Sequence, residues 1–154
     1  MSKGCAQGSC CGLGYWNIQY NSILYLEFRK QTKTIAFADD LLIAVKAKGI
    51  REAENISNIE MNKILMWAKI NKINFNEQKS KVVAISRKER KENKEISVYM
   101  NNKLLEQVQK IKYLGIITDS KLNCREHIIY ISSKCTKLKH SLPKSTLVDL
   151  IIHA

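Results

Sequence analysis

An α+β fold is predicted for this chain by three features of its sequence. Short runs of β-branched, aromatic and aliphatic residues are bounded by turn-forming dipeptides, the pattern of hairpins. Longer stretches instead repeat apolar residues every three or four positions, the pattern of helices that pack through one face. Only one Pro and six Gly interrupt 154 residues, so regular elements can occupy most of the chain. A hydrophobic content of 45% suffices for a core, and no apolar run is long enough to cross a bilayer.

Gly4, Gly8, Gly12 and Gly14 crowd the start and predict a loop. It feeds a helix over Tyr15–Leu24 with Trp16, Tyr20, Ile23 and Leu24 as its apolar stripe. Thr34–Ala38 and Leu41–Val45 flank Asp39 and Asp40, which predicts a hairpin with the acids at its tip. Ala53, Ile56, Ile64, Trp67 and Ala68 share one face of a helix from Ile50 to about Ile73, ended by Asn74-Phe75-Asn76. Lys81–Ser86 reads as a strand, and the charged run Arg87–Glu95 as a solvated loop. Ile96–Met100, the turn at Asn101-Asn102 and Ile111–Ile117 predict a second antiparallel pair. From Cys124 on, Ile128, Ile131, Cys135, Leu138 and Leu142 recur at helical spacing until Pro143.

Lys and Arg number 26 against 14 acids, and a net charge of +12 points to a polyanionic partner, with nucleic acid the first candidate. Residues 1–40 contribute only +1 of it, so contacts with a phosphate backbone are expected after the first quarter. The five cysteines, Cys5, Cys10, Cys11, Cys124 and Cys135, form no pair at zinc-ligand spacing and no even framework, so they read as idle thiols. Met1-Ser2-Lys3-Gly4-Cys5 lacks the apolar segment of a signal peptide, which fits a reducing cytoplasmic or nuclear setting with no membrane partner. His127 and His140 have no Cys or carboxylate at metal spacing and read as surface residues, while Trp16 and Trp67 read as core residues of their helices.

Adjacent carboxylates between buried strands repel each other and are penalised by surrounding hydrocarbon, and a hard cation would remove that penalty. Asp-Asp is also a common exposed turn dipeptide without function. Its context separates the two. Phe37-Ala38-Asp39-Asp40 follows Gly4-Cys5-Ala6-Gln7-Gly8-Ser9 by about thirty residues; Asn76-x-x-Lys79-Ser80-Lys81 comes next, then Lys112-Tyr113-Leu114-Gly115 with Asp119 and His127 downstream. This order resembles the reverse transcriptases of non-LTR (LINE-type) retrotransposons and covers nearly the whole chain.

The resemblance implies a partial polymerase palm over residues 1–120, in which two helices pack the Phe-Ala-Asp-Asp hairpin, and a thumb that begins at residues 121–154 and is cut short. It implies RNA-templated DNA synthesis by two-metal nucleotidyl transfer to a primer 3′ hydroxyl, with an RNA template, a DNA primer and deoxynucleoside triphosphates as partners. Asp39 and Asp40 would be catalytic and hold Mg2+, with Asp40 the weaker or supporting ligand. Lys79 would act near the leaving pyrophosphate, where an ammonium stabilises or protonates it. Gln7, Gly8, Ser9, Phe37 and Ala38 would line the template and nucleotide site, and Tyr113, Leu114 and Gly115 would form a primer-grip-like hairpin. The plain alternatives are a solvated lysine at Lys79 and ordinary strand packing at Tyr113-Leu114-Gly115.

The same resemblance marks departures. Family members carry fingers and an additional palm aspartate upstream of the Gln-Gly-Ser loop, whereas no Asp or Glu precedes Glu27 here, and Ala6 stands where Pro is usual. A truncated copy, inactive by itself and marginally stable because a sheet edge lacks its neighbour, is therefore expected. The alternatives are a basic, non-catalytic nucleic-acid-binding remnant of a transposable element, and a product with no function of its own.

Overall fold

The computed structural model describes residues 11–86 and 95–141. They fall into two compact units, one of residues 11–82 and 95–107, the other of residues 83–86 and 108–141. The first combines helices with small sheets and the second one helix with one small sheet, as an α+β chain should.

The first helix of the first unit, α1, spans Gly12–Asn21 and continues as a 3-10 turn over Ser22–Tyr25. It starts earlier than the glycine-rich composition predicted, with Gly12 and Gly14 inside it. A 3-10 turn advances three residues rather than 3.6 per turn. That tightening leaves Tyr20 and Ile23 on the buried stripe and rotates Leu24 outward, to 44% exposure.

The predicted hairpin is present. Strand β1 (Thr32–Phe37) pairs antiparallel with β2 (Asp40–Val45) from Thr32↔Val45 to Phe37↔Asp40, leaving Ala38 and Asp39 as a two-residue turn. Alternation sends Ala36, Leu41 and Ile43 inward and leaves Ile35 and Phe37 exposed on the outer face. The inner face packs on a core of Tyr20, Ile23, Ile64, Trp67 and Ala68, to which Trp16 also adds. Trp16 stacks on Tyr20 with ring centroids 5.2 Å apart, and Tyr20 meets Trp67 edge-on at 5.8 Å. Trp67 is buried, and its indole N–H donates to Ser22 Oγ at 2.9 Å.

Helix α2 (Ile50–Asn71) carries the apolar face predicted for it. It ends just short of Ile73 because Lys72 adopts a left-handed conformation at φ 54°, its N–H reaching back to the Ala68 and Lys69 carbonyls. Glu60 lies on the buried face with no exposure. Its carboxylate accepts the Arg29 backbone N–H at 3.1 Å and pairs with Lys63 Nζ at 2.9 Å, while Lys63 Nζ also donates to the Glu27 carbonyl at 2.7 Å. These bonds tie the segment leading into β1 to α2.

Ile96, Val98 and Met100 are buried in alternation, as a half-buried extended run requires. Their partner is not the Ile111–Ile117 run. Strand β4 (Tyr99–Met100) turns through Asn101 and Asn102, at φ 49° and 62°, directly into β5 (Lys103–Leu104). Two consecutive positive-φ asparagines make a primed hairpin turn, which closes locally and pre-empts the longer-range pairing. On its other side the run is held by α2: Glu54 Oε1 accepts the Ser97 N–H and Asn58 Oδ1 the Tyr99 N–H, both at 2.9 Å. The strand predicted over Lys81–Ser86 shrinks to β3 (Lys81–Val82), parallel to β6 (Glu106–Gln107), with an ion pair between Lys81 and Glu106.

In the second unit, β7 (Lys110–Tyr113) pairs antiparallel with β8 (Ile116–Asp119), and helix α3 (Arg125–Ser141) packs on β8. The helix forms where its periodicity predicts, yet Ile128, Ile131 and Leu138 stay exposed. A two-stranded hairpin is too small to cover a whole helix stripe.

Candidate functional site

The turn at the tip of β1–β2 is built by strain and a clamp. Ala38 sits at φ 50°, a left-handed conformation that disfavours a Cβ by roughly 1–2 kcal/mol. Its carbonyl accepts the Trp16 indole N–H at 3.0 Å, so α1 holds the turn from the side. A cleft of about 310 Å³ lies between α1 and β1, lined by Asn17, Ile18, Asn21, Leu24, Ala36 and Ala38 among others.

Asp39 and Asp40 are both exposed at this tip. The expectation that flanking strands bury and penalise them is corrected: a two-residue turn projects beyond the inner face, and the carboxylates meet water. Among the described residues neither carboxylate has a hydrogen bond or ion pair. Asp40 lies directly across from Phe37, which is 60% exposed, and cross-strand partners share a face. Two free carboxylates suit a hard cation such as magnesium, which commonly takes one or two carboxylates and fills its remaining positions with water and substrate phosphates. Among the described residues no group of three or more His, Cys, Asp or Glu stands together.

Lys79 stands on a separate turn, exposed, with no hydrogen bond or ion pair to Asp39 or Asp40. That turn is well fixed. Asn76 Oδ1 accepts the N–H groups of Gln78 and Lys79 at 3.0 and 3.2 Å, and the Asn76 carbonyl accepts the Ser80 hydroxyl at 2.8 Å. Glu77 then anchors it to the β4–β5 turn, accepting from Asn101 Nδ2 at 2.8 Å and Lys103 Nζ at 2.7 Å. The hydrogen bond from Lys103, followed by that from Asn101, holds the Glu77 carboxyl below its ordinary value.

Tyr113, Leu114 and Gly115 belong to the second unit. Leu114 and Gly115, at φ 47° and 84°, form the two-residue turn of β7–β8, and Tyr113 pairs with Ile116. His127, read as a surface residue, is half-buried: its Nδ1 accepts the Ile117 backbone N–H at 3.3 Å. Tyr130 is met by two lysines, a cluster no sequence feature marked. Gln7, Gly8 and Ser9 lie outside the described residues, as does the His140 side chain. Cys11, Cys124 and Cys135 are exposed free thiols. No helix among the described residues is long and apolar enough to cross a membrane.

Comparison with known proteins bears on the whole arrangement. The family profile described as reverse transcriptase (RNA-dependent DNA polymerase) matches residues 1–118. The chain is also similar to the retrovirus-related Pol polyprotein from type-1 retrotransposable element R1 of Bradysia coprophila, 23% identical over 134 residues, covering 87% of this chain and 13% of that protein. The polyprotein of the same name from Nasonia vitripennis is 23% identical over 128 residues, covering 81% of this chain and 38% of the relative. The chain thus spans well under half the length of these curated relatives. No solved structure matches it. With the profile covering most of its length and both relatives drawn from one class of mobile element, the chain belongs to the reverse transcriptase family, among those of non-LTR retrotransposons.

Proposed function

We propose that this chain supplies part of the active centre of an RNA-directed DNA polymerase, with Asp39 and Asp40 as its metal-holding carboxylates. The family's activity is RNA-templated DNA synthesis. The observation that carries the assignment to these residues is the pair of exposed carboxylates, unpartnered among the described residues, on a turn clamped by Trp16. Magnesium bound there would supply neutralisation of charge on the transferred phosphoryl group and its leaving pyrophosphate.

The remaining roles follow the motif order. Phe37 offers an exposed ring beside Asp40 for a nucleobase or sugar, and Ala38, lacking a bulky side chain, lets a nucleotide approach the turn. Gln7, Gly8 and Ser9 would complete the template and nucleotide site. Lys79 would present its ammonium to the leaving pyrophosphate from a turn that Asn76 and Glu77 keep rigid. Tyr113, Leu114 and Gly115 would hold the primer end. Residues 1–120 then serve as a partial palm and residues 121–154 open the thumb, with the β7–β8 hairpin at the join. These 154 residues alone do not polymerise, because no Asp or Glu before Glu27 offers the further carboxylate that two-metal transfer uses.

The second reading is non-catalytic nucleic-acid binding, favoured by the net charge of +12. One experiment separates them: binding of an RNA template with an annealed DNA primer, measured with and without Mg2+, for the chain and for Asp39→Asn. Polymerase ancestry retained at the site gives binding strengthened by Mg2+ on the order of tenfold, about 1.4 kcal/mol, with that gain lost in Asp39→Asn. Binding indifferent to both Mg2+ and the substitution assigns the second reading. Primer extension by the chain alone would overturn the proposed inactivity.

A further inference from the structure

Outside the Asp39 hairpin, two lysines of the second unit converge on Tyr130. Lys112, on β7, donates from Nζ to the Tyr130 hydroxyl at 2.9 Å and stands 4.7 Å from the ring centroid. Lys134, one turn further along α3, places its Nζ 5.0 Å from the same centroid. The nearby carboxylate, Glu126, is taken by Lys110 at 2.9 Å. Among the described residues Lys112 and Lys134 therefore have no acidic partner.

Two ammonium groups drawn onto one neutral phenol repel each other, and an anion between them would remove the repulsion. The phenolic oxygen already accepts from Lys112, so its own O–H is directed elsewhere as a donor. Two point charges and a neutral donor match the two non-bridging oxygens of a phosphodiester. Resting on the nucleic-acid reading above, we propose that Lys112, Lys134 and the Tyr130 hydroxyl bind one phosphodiester group of a nucleic-acid strand.

The tyrosine adds a pH dependence that a plain lysine pair lacks. Hydrogen bonds from Lys112 and then Lys134 pull the Tyr130 phenol down to about 8. Ionisation removes the donor and places a negative charge between the lysines, so the clamp loosens as pH rises through that value. The other charged or titratable groups facing the cluster are the Lys110–Glu126 ion pair and His127, whose ring lies 6.5 Å from that of Tyr130.

The test is salt- and pH-dependent binding of a short fluorescent RNA–DNA duplex to the full chain. Lys112→Ala/Lys134→Ala lowers the slope of log affinity against log salt by about one. Tyr130→Phe keeps the slope near neutral pH but abolishes the fall in affinity between about pH 7 and 9 that the parent chain shows, a charge-neutral readout that net charge does not explain. Because Tyr130→Phe removes only a hydroxyl, it stays informative if the double variant fails to fold. An unchanged slope in a folded double variant, or the same pH response in Tyr130→Phe, overturns the clamp. Equal, Lys112- and Lys134-dependent binding of polyglutamate would also overturn it, by showing a site for acidic polypeptide. The salt slope is read without Mg2+ and the Mg2+-dependent gain in a separate titration, so failure of the carboxylate site and failure of the clamp are told apart.

Discussion

Ala38 shows how a single residue sets the site. A glycine would adopt φ 50° without penalty, but an alanine there needs the surrounding structure to hold it, and the Trp16 indole N–H at 3.0 Å is the bond that does so. Trp16 is anchored in turn by its stack on Tyr20. Trp16→Phe keeps the stack and removes the donor, so it should destabilise the chain by about 1 kcal/mol in urea unfolding. A loss indistinguishable from zero would mean that the turn is held by its strands alone. The residue scale is also where the sequence was least legible. Trp16 was readable as a core aromatic, but nothing in its spacing marks a bond to a residue 22 positions away. Glu60 escaped for the opposite reason: a lone acid interrupts an apolar stripe, and periodicity assigns such a residue to solvent, whereas Arg29, Lys63 and the backbone of the incoming segment make burial tolerable.

At the scale of elements, local chemistry decided what could be read. Helix α2 was legible because 22 residues keep one apolar face, and β1–β2 because its turn residues sit between alternating runs. The run Ile96–Met100 was legible as extended but its partner was not, since pairing is a long-range choice and the Asn101-Asn102 turn settled it within a few residues. The turn bearing Lys79 depends on both kinds of information: Asn76 three residues earlier is a recognisable Asx-turn, while Glu77 reaches across to Asn101 and Lys103. That anchor carries a pH signature. The Glu77 carboxyl lies below its ordinary value of 4.5 in the folded chain, so its contribution to stability is present above that pH and is lost as pH falls through the folded value. Urea unfolding should show Glu77→Gln less stable than the parent chain at neutral pH, with the difference shrinking toward zero on acidification below about 4.5. A difference independent of pH would place the effect in packing rather than charge.

For the whole molecule, the chemistry is divided. The first unit carries Asp39, Asp40 and Lys79; the second carries Tyr113, Leu114, Gly115 and the Tyr130 cluster. Among the described residues, the exposed apolar side chains include the outer face of β1 at Ile35 and Phe37 and the α3 stripe at Ile128 and Leu138. The α3 stripe was legible from its periodicity, but pattern reports which face is apolar and not whether anything covers it. The position of the carboxylates is the part of this account on which the proposed function rests. Paramagnetic broadening of backbone amide signals by substoichiometric Mn2+ tests it on the chain as it stands. The expected result is broadening centred on Ala38, Asp39 and Asp40 that disappears in Asp39→Asn while the rest of the spectrum is unchanged. Broadening that leaves this turn untouched, or that persists in Asp39→Asn, would contradict the assignment of these two aspartates as the metal-holding pair.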